Sequence, residues 1–143
     1  MEKERTRAAS KGSPSPIQAN KENTDKDFDT SVEFCLDRIE AVSCIIASHN
    51  EKSNLYAVEL MEKKGIRHDH RHMHFSQLFG MSDNITFNLA KEGFSVSKYL
   101  PFGPLKDVIP YLMRRAEENS SVGGQTGREH ELIKKELARR GAK

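Results

Sequence analysis

Apolar residues recur over residues 26–40 at Phe28, Val32, Cys35, Leu36 and Ile39. The intervals are i, i+4, i+7, i+8 and i+11, which put all five on one side of a helix. Residues 41–48 break that rhythm with a short apolar run containing Val42, Ile45 and Ile46. β-branched residues in so short a run favour a buried strand. Helical spacing returns over 51–64, with Leu55, Val58 and Met61 expected inward and Gly65 as the stop. A strand is expected around 73–78. A helix over 83–92 follows, capped by Ser82 and ended by Gly93, and then a strand over 95–100. The next helix, near 105–119, has an apolar stripe of Leu105, Val108, Ile109, Leu112, Met113 and Ala116 that reads as core-facing. Pro110 lies inside it, and a proline there calls for a kink or a late start.

The flanks read differently. Residues 1–25 are polar and proline-interrupted, which suggests a loop or a frayed helix. Residues 120–127 read as a linker into a last amphipathic helix with Leu132, Ile133 and Leu137. Short buried strands alternating with helices indicate parallel βαβ units and an α/β fold. The expected organisation is a polar segment (1–25), a partial α/β domain (26–119), and a linker with a C-terminal amphipathic helix (120–143).

Composition narrows the function classes. The net charge is only +2, with acidic and basic residues interspersed, so no nucleic-acid partner is expected. No run reaches the ~18 apolar residues of a membrane span. The end of the chain, with Arg139, Arg140 and Lys143, is locally basic and suits either a solvated tail or peripheral contact with anionic lipid. Cys35 and Cys44, on an apolar stripe and an apolar strand, are expected to be buried free thiols.

The densest chemistry lies in KYLPFGPLKDVIPYLMRRAEEN, residues 98–119. Helical spacing groups Tyr111, Arg114, Arg115 and Glu118 on a polar face opposite the apolar stripe. Paired guanidinium forks match a carboxylate, whereas a plain solvated face would hold the same residues as an Arg114–Glu118 ion pair. Separately, His68, His70, His72 and His74 alternate. On a strand all four imidazoles would share one face, where a metal such as Zn²⁺ is conceivable, although no metal is expected.

Four segments together carry a family resemblance. KYLPFGP…PYLMRRAEEN resembles the C-terminal signature of proline dehydrogenase, the flavin-dependent barrel enzyme also found within bifunctional proline utilisation proteins. Ser48-His49-Asn50 resembles the family's strand-ending (T/S)HN, and FSQLFGM over 75–81 resembles its FxQLxGM. Residues 1–17, with MEKERTRAA, Gly12 and Pro14-Ser15-Pro16-Ile17, resemble the segment after its fifth strand.

The resemblance implies the C-terminal portion of a (β/α)₈ TIM-like barrel, about three βα units, incomplete in this chain. It implies FAD-dependent oxidation of L-proline to Δ1-pyrroline-5-carboxylate, the first step of proline catabolism, with electrons passed to a quinone. Arg114 and Arg115 would clamp the substrate carboxylate, Tyr99 and Tyr111 would wall the ring, and Leu78 would touch it. Glu118 would hold an arginine by ion pairing. Ser48, His49, Asn50 and Gln77 would lie on the cofactor. The implied location is the bacterial cytoplasm, at the inner membrane face, with the mitochondrial matrix or inner membrane as the alternative. Basic residues that the family places on its earlier strands have no counterpart here, so the isolated chain is expected to bind FAD poorly and to be inactive. The competing readings are a non-catalytic remnant of that enzyme and a His-rich metal-binding module.

Overall fold

The computed structural model describes residues 2–121 and 125–141, with side chains described outside 117–129. The elements are α1 (Glu2–Lys11), α2 (Lys21–Leu36), β1 (Cys44–Ala47), α3 (Glu51–Lys63), β2 (Met73–Leu78), α4 (Asp83–Lys91), β3 (Val96–Tyr99), α5 (Leu105–Ser121) and α6 (Gln125–Arg139).

The strands form one parallel sheet in the order β1-β2-β3. Ile46 pairs with Phe75, and Gln77 with Lys98. Alternation along β2 buries Met73, Phe75 and Gln77 and leaves His74, Ser76 and Leu78 half-buried on the other face. The core lies on the first of these faces. There Ile46, Met73 and Phe75 meet Ala57, Leu60 and Met61 of α3 and Ile85 and Leu89 of α4, with Val32 and Leu36 of α2 beside them. The opposite face carries Ile45, Ala47, Ser97 and Tyr99, all exposed. Parallel sheets are normally covered on both faces; this one is covered on one.

Both α3 and α4 end in the same way. Gly65 and Gly93 take the left-handed conformation, at φ +66° and +85°. The Ile66 amide donates to the Met61 carbonyl at 2.9 Å, and the Phe94 amide to that of Leu89 at 3.1 Å. These closures satisfy helix-end carbonyls and turn Ile66 and Phe94 back toward the core. His68 stacks on Phe94 at 3.9 Å, and its Nδ1 lies 2.7 Å from the Glu92 carbonyl.

Several expectations need correction. The N-terminal segment is not simply loop: α1 is helical from Glu2, with Glu2 and Glu4 in its first turn and Lys11 in its last. That charge order complements the helix dipole, a signal independent of apolar spacing. α2 begins at Lys21, because the Asn20 side chain accepts from the Asn23 amide and caps a polar first turn. Met61 is buried and Val58 packs against the core as expected, but Leu55 is 59% exposed, and α3 also turns Ser53, Asn54, Ala57 and Leu60 inward. Asn54 explains this rotation, since its Nδ2 donates to the carbonyls of Ser48 and Asn50.

The stripe of α5 is not core within this chain: Leu105, Ile109, Leu112 and Met113 are 47–74% exposed. That helix does start at Leu105, as expected, with Pro110 inside it, so the alternative of a late start does not hold. The linker expected over 120–127 is shorter, with α5 reaching Ser121 and α6 starting at Gln125; residues 122–124 lie outside the described residues. Cys35 and Cys44 are free but only half-buried. Burial, then neighbouring Cys35, pushes the Cys44 thiol up to about 11.

On α6, Glu136 accepts from Arg139 and Arg140 at 2.6–2.7 Å. These bonds pull its carboxyl from the ordinary 4.5 down to about 2. The folded value lies below the unfolded one, so the support this group lends α6 is fully present above pH 4.5 and is lost as pH falls through about 2. A carboxyl-carbon NMR titration is expected to show this depressed midpoint, and an Arg139→Gln/Arg140→Gln variant should return it toward 4.5.

Candidate functional site

In sheets built from βα units, chemistry gathers at the carboxyl ends of the strands. β1 ends in Ser48, His49 and Asn50. Asn50 caps α3, its side chain accepting from the Lys52 amide at 3.0 Å. The Ser48 hydroxyl accepts from the Asn50 amide at 3.1 Å, which tightens the turn between strand and helix.

Behind this turn lies a buried polar brace. Gln77 is 2% exposed. Its Nε2 donates to the Ser48 carbonyl at 3.3 Å and to Asn54 Oδ1 at 3.4 Å, while its Oε1 accepts from the Thr86 hydroxyl at 2.8 Å. Gln77 therefore joins β1, α3 and α4 from the covered face. Its neighbour Leu78 faces the other way, because alternation sends adjacent strand residues to opposite faces.

Leu78 is half-buried on the open face and stands in register with Tyr99. The Tyr99 ring meets Tyr111 edge-on at 6.1 Å, and the Arg115 guanidinium sits over Tyr111 at 5.3 Å. Stacking on an aromatic face suits a planar guanidinium and fixes its orientation. Leu78, Tyr99, Tyr111 and Arg115 thus form one set running from the sheet to α5. Arg114 is exposed beside them, and the Glu118 side chain lies outside the described residues.

His49 links the two sets. Its Nδ1 is 2.9 Å from the Ser82 hydroxyl, and its Nε2 accepts from the Leu78 amide at 3.5 Å. Ser82, expected to cap α4, makes no side-chain capping bond. Lys98 grips the loop just before α4, donating to the Met81 carbonyl and pairing with Asp83 at 2.8 Å. A cleft of about 760 Å³ opens at this end of the sheet, with His49, Asn50, Ser82 and Asn84 in its wall. Sequence reasoning missed Asn54, Lys98 and the second role of Ser82; Thr86 follows from the Gln77 alternation once Gln77 is assigned inward.

The histidines do not converge. β2 begins only at Met73, so strand alternation does not reach residues 68–72. His68 lies on Phe94, His70 faces Glu40 at 3.6 Å, and His72 Nδ1 lies 2.7 Å from the Ser43 hydroxyl. His74 belongs to the sheet face opposite the core. Among the described residues, no three His, Cys, Asp or Glu side chains are grouped to hold a metal ion.

The proline dehydrogenase family profile matches residues 1–128. Proline dehydrogenase 1, mitochondrial, of Caenorhabditis elegans is 43% identical over 145 residues, taking in 98% of this chain and 24% of that protein. Hydroxyproline dehydrogenase of Xenopus laevis is 40% identical over 144 residues, taking in 98% of this chain and 31% of that protein. The chain thus spans about a quarter to a third of the length of these relatives. It also resembles the crystal structure of proline utilization A (PutA) from Bdellovibrio bacteriovorus inactivated by N-propargylglycine. The TM-score is 0.75 at 28% identity, over 85% of this chain and 12% of that one. The parallel sheet and its helices correspond to part of a barrel-type α/β domain, and the profile match covers most of the sequence: the chain belongs to the proline dehydrogenase family.

Proposed function

We propose that this chain contributes the substrate-carboxylate and ring-contacting part of an enzyme oxidising L-proline to Δ1-pyrroline-5-carboxylate. The observation that carries the reading is the contact series Tyr99–Tyr111–Arg115 beside Leu78, at the carboxyl end of β3. A saturated five-membered ring bearing a carboxylate needs an apolar wall and a fixed cation within reach of each other, and this series supplies both. Arg115, seated on Tyr111, is the pre-oriented arm of the clamp, and Arg114 is the second arm. The family resemblance assigns Glu118, whose side chain lies outside the described residues, to hold one of them by ion pairing.

The residues present fit a flavin. The open sheet face carries Ala47, Ser76 and Ser97, small side chains that leave room for a planar ring, with the Ser97 hydroxyl 3.2 Å from that of Ser76. Ser48, His49 and Asn50 border this face at the start of α3, where helix amides favour negative groups. These three would hold FAD, with Gln77 acting from behind by fixing the Ser48 carbonyl. FAD, when bound, supplies the two-electron acceptor for the ring C–H bond beside nitrogen. The arginine pair orients that bond, and Leu78, Tyr99 and Tyr111 keep water from the ring.

We assign mitochondria as the location, supported by the name of the Caenorhabditis elegans relative, and quinone as the onward electron acceptor, which only the family resemblance implies. Peripheral membrane contact through the basic end of α6 belongs to the same reading. Among the described residues, no helix is long and apolar enough to cross a membrane.

A chimera tests the proposal. The matching segment of the Caenorhabditis elegans enzyme is replaced by this chain, and proline-dependent dye reduction is measured. Turnover with L-proline is expected. A chimera that folds and binds FAD but does not oxidise L-proline would overturn the reading, and preference for 4-hydroxyproline would move the substrate assignment to that of the Xenopus laevis relative.

A further inference from the structure

Among the described residues, Ser82 is the only non-glycine residue with a positive φ, at φ 51° and ψ 43°. A side chain in that region is disfavoured, and such positions persist only where the surroundings hold them. The surroundings here are specific. Lys98 binds the carbonyl of Met81 and the carboxylate of Asp83, the two neighbours of Ser82. The Ser82 carbonyl accepts from the Ile85 and Thr86 amides at 3.1 and 3.2 Å. Serine at this helix-start position ordinarily accepts from an amide of the first turn. Here its hydroxyl lies 2.9 Å from His49 Nδ1 instead.

The other ring nitrogen settles the direction of that bond. His49 Nε2 faces the Leu78 amide, which can only donate. In a neutral imidazole one nitrogen donates and the other accepts. Nδ1 therefore carries the proton and donates it to the Ser82 oxygen. The ring is held between the carboxyl end of β1, the last residue of β2 and the start of α4.

We propose that Ser82 is a positioning residue that holds the His49 ring across the ends of β1 and β2, in the Nδ1–H tautomer that the Leu78 amide selects. The functional weight of that lock rests on the reading of His49 as a flavin-side residue. The strained backbone and the unused cap both follow if the Ser82 hydroxyl is committed to the imidazole rather than to its own helix.

The test uses the full chain labelled with ¹⁵N-histidine, reading the ring nitrogens of His49 through long-range proton–nitrogen correlations. The wild-type chain should show a protonated Nδ1 and an unprotonated Nε2. Ser82→Thr should keep this pattern. Ser82→Ala and Ser82→Gly should lose it, giving an averaged ring, because the 3.5 Å contact with the Leu78 amide is too long to hold the ring alone. Ser82→Gly separates positioning from folding, since glycine accepts the left-handed backbone freely and should melt no lower than wild type while losing the tautomer. An unchanged His49 tautomer in a folded Ser82→Gly chain, or an Nε2–H ring in the wild type, would overturn the proposal. In the chimera, Ser82→Gly should weaken FAD binding about three- to tenfold, the effect of one lost hydrogen bond. A ring that responds to Ser82 in the chain, with unchanged FAD affinity in the chimera, would support the lock and count against the flavin-side reading alone.

Discussion

Phe75→Ala is expected to destabilise the fold by about 3–5 kcal/mol, the usual cost of deleting a large buried aromatic. Phe75 is 1% exposed at the centre of the middle strand, and its ring meets Phe94 edge-on at 5.5 Å. It shares the core with Ile46, Met61 and Met73, so truncation leaves a void between the sheet and α3 as well as beneath Phe94. Native stabilities run at roughly 0.05–0.15 kcal/mol per residue, so this loss is a large share of what a chain of this size holds. Urea unfolding followed by circular dichroism measures it. A change below about 1 kcal/mol would mean that the covered face of the sheet is not the main core.

The second large effect concerns the arginine pair, tested in the chimera. Arg115→Met or Arg114→Met should each cost about 1.5–3 kcal/mol, seen chiefly as a KM for L-proline raised roughly ten- to a hundredfold. The carboxylate is not the reacting group, so its contacts act alike on ground and transition states apart from positioning. Arg115 should be the more sensitive to lysine substitution, because an ammonium forfeits both the fork and the stacking on Tyr111. The double variant should lose measurable saturation. An unchanged KM combined with loss of bound FAD in both single variants would move the pair from the substrate to the cofactor.

The three strands, α3 and α4 were legible because each couples a short apolar run or stripe with a glycine stop, and Gly65 and Gly93 do close their helices. α1 was not, since its order comes from charge placement rather than from an apolar face. The stripe of α5 was read correctly as amphipathic but wrongly as buried: spacing reveals that a helix has an apolar side, not whether the same chain covers it. The strand begins at Met73, within the range expected for it, so alternation has no meaning in the turn that carries His68, His70 and His72. Motif resemblance brought Leu78, Tyr99, Tyr111, Arg114 and Arg115 into one group; the structure sets Tyr99 against Tyr111 and Arg115 over Tyr111, with Leu78 in register with Tyr99. Gln77 and Leu78 could have been separated by the two-residue period of the strand alone. Ser82 could not be anticipated, since a left-handed serine leaves no trace in composition or spacing.

The paired glycine closures, with His68 resting on Phe94 between them, sit at the end of the sheet away from Tyr99 and His49. This separation has an evolutionary meaning. Drift at the closures changes how long the molecule survives, and drift at the strand tips changes what it recognises. A lineage can therefore vary the proposed contacts at one end while selection for persistence acts at the other, with little conflict between the two.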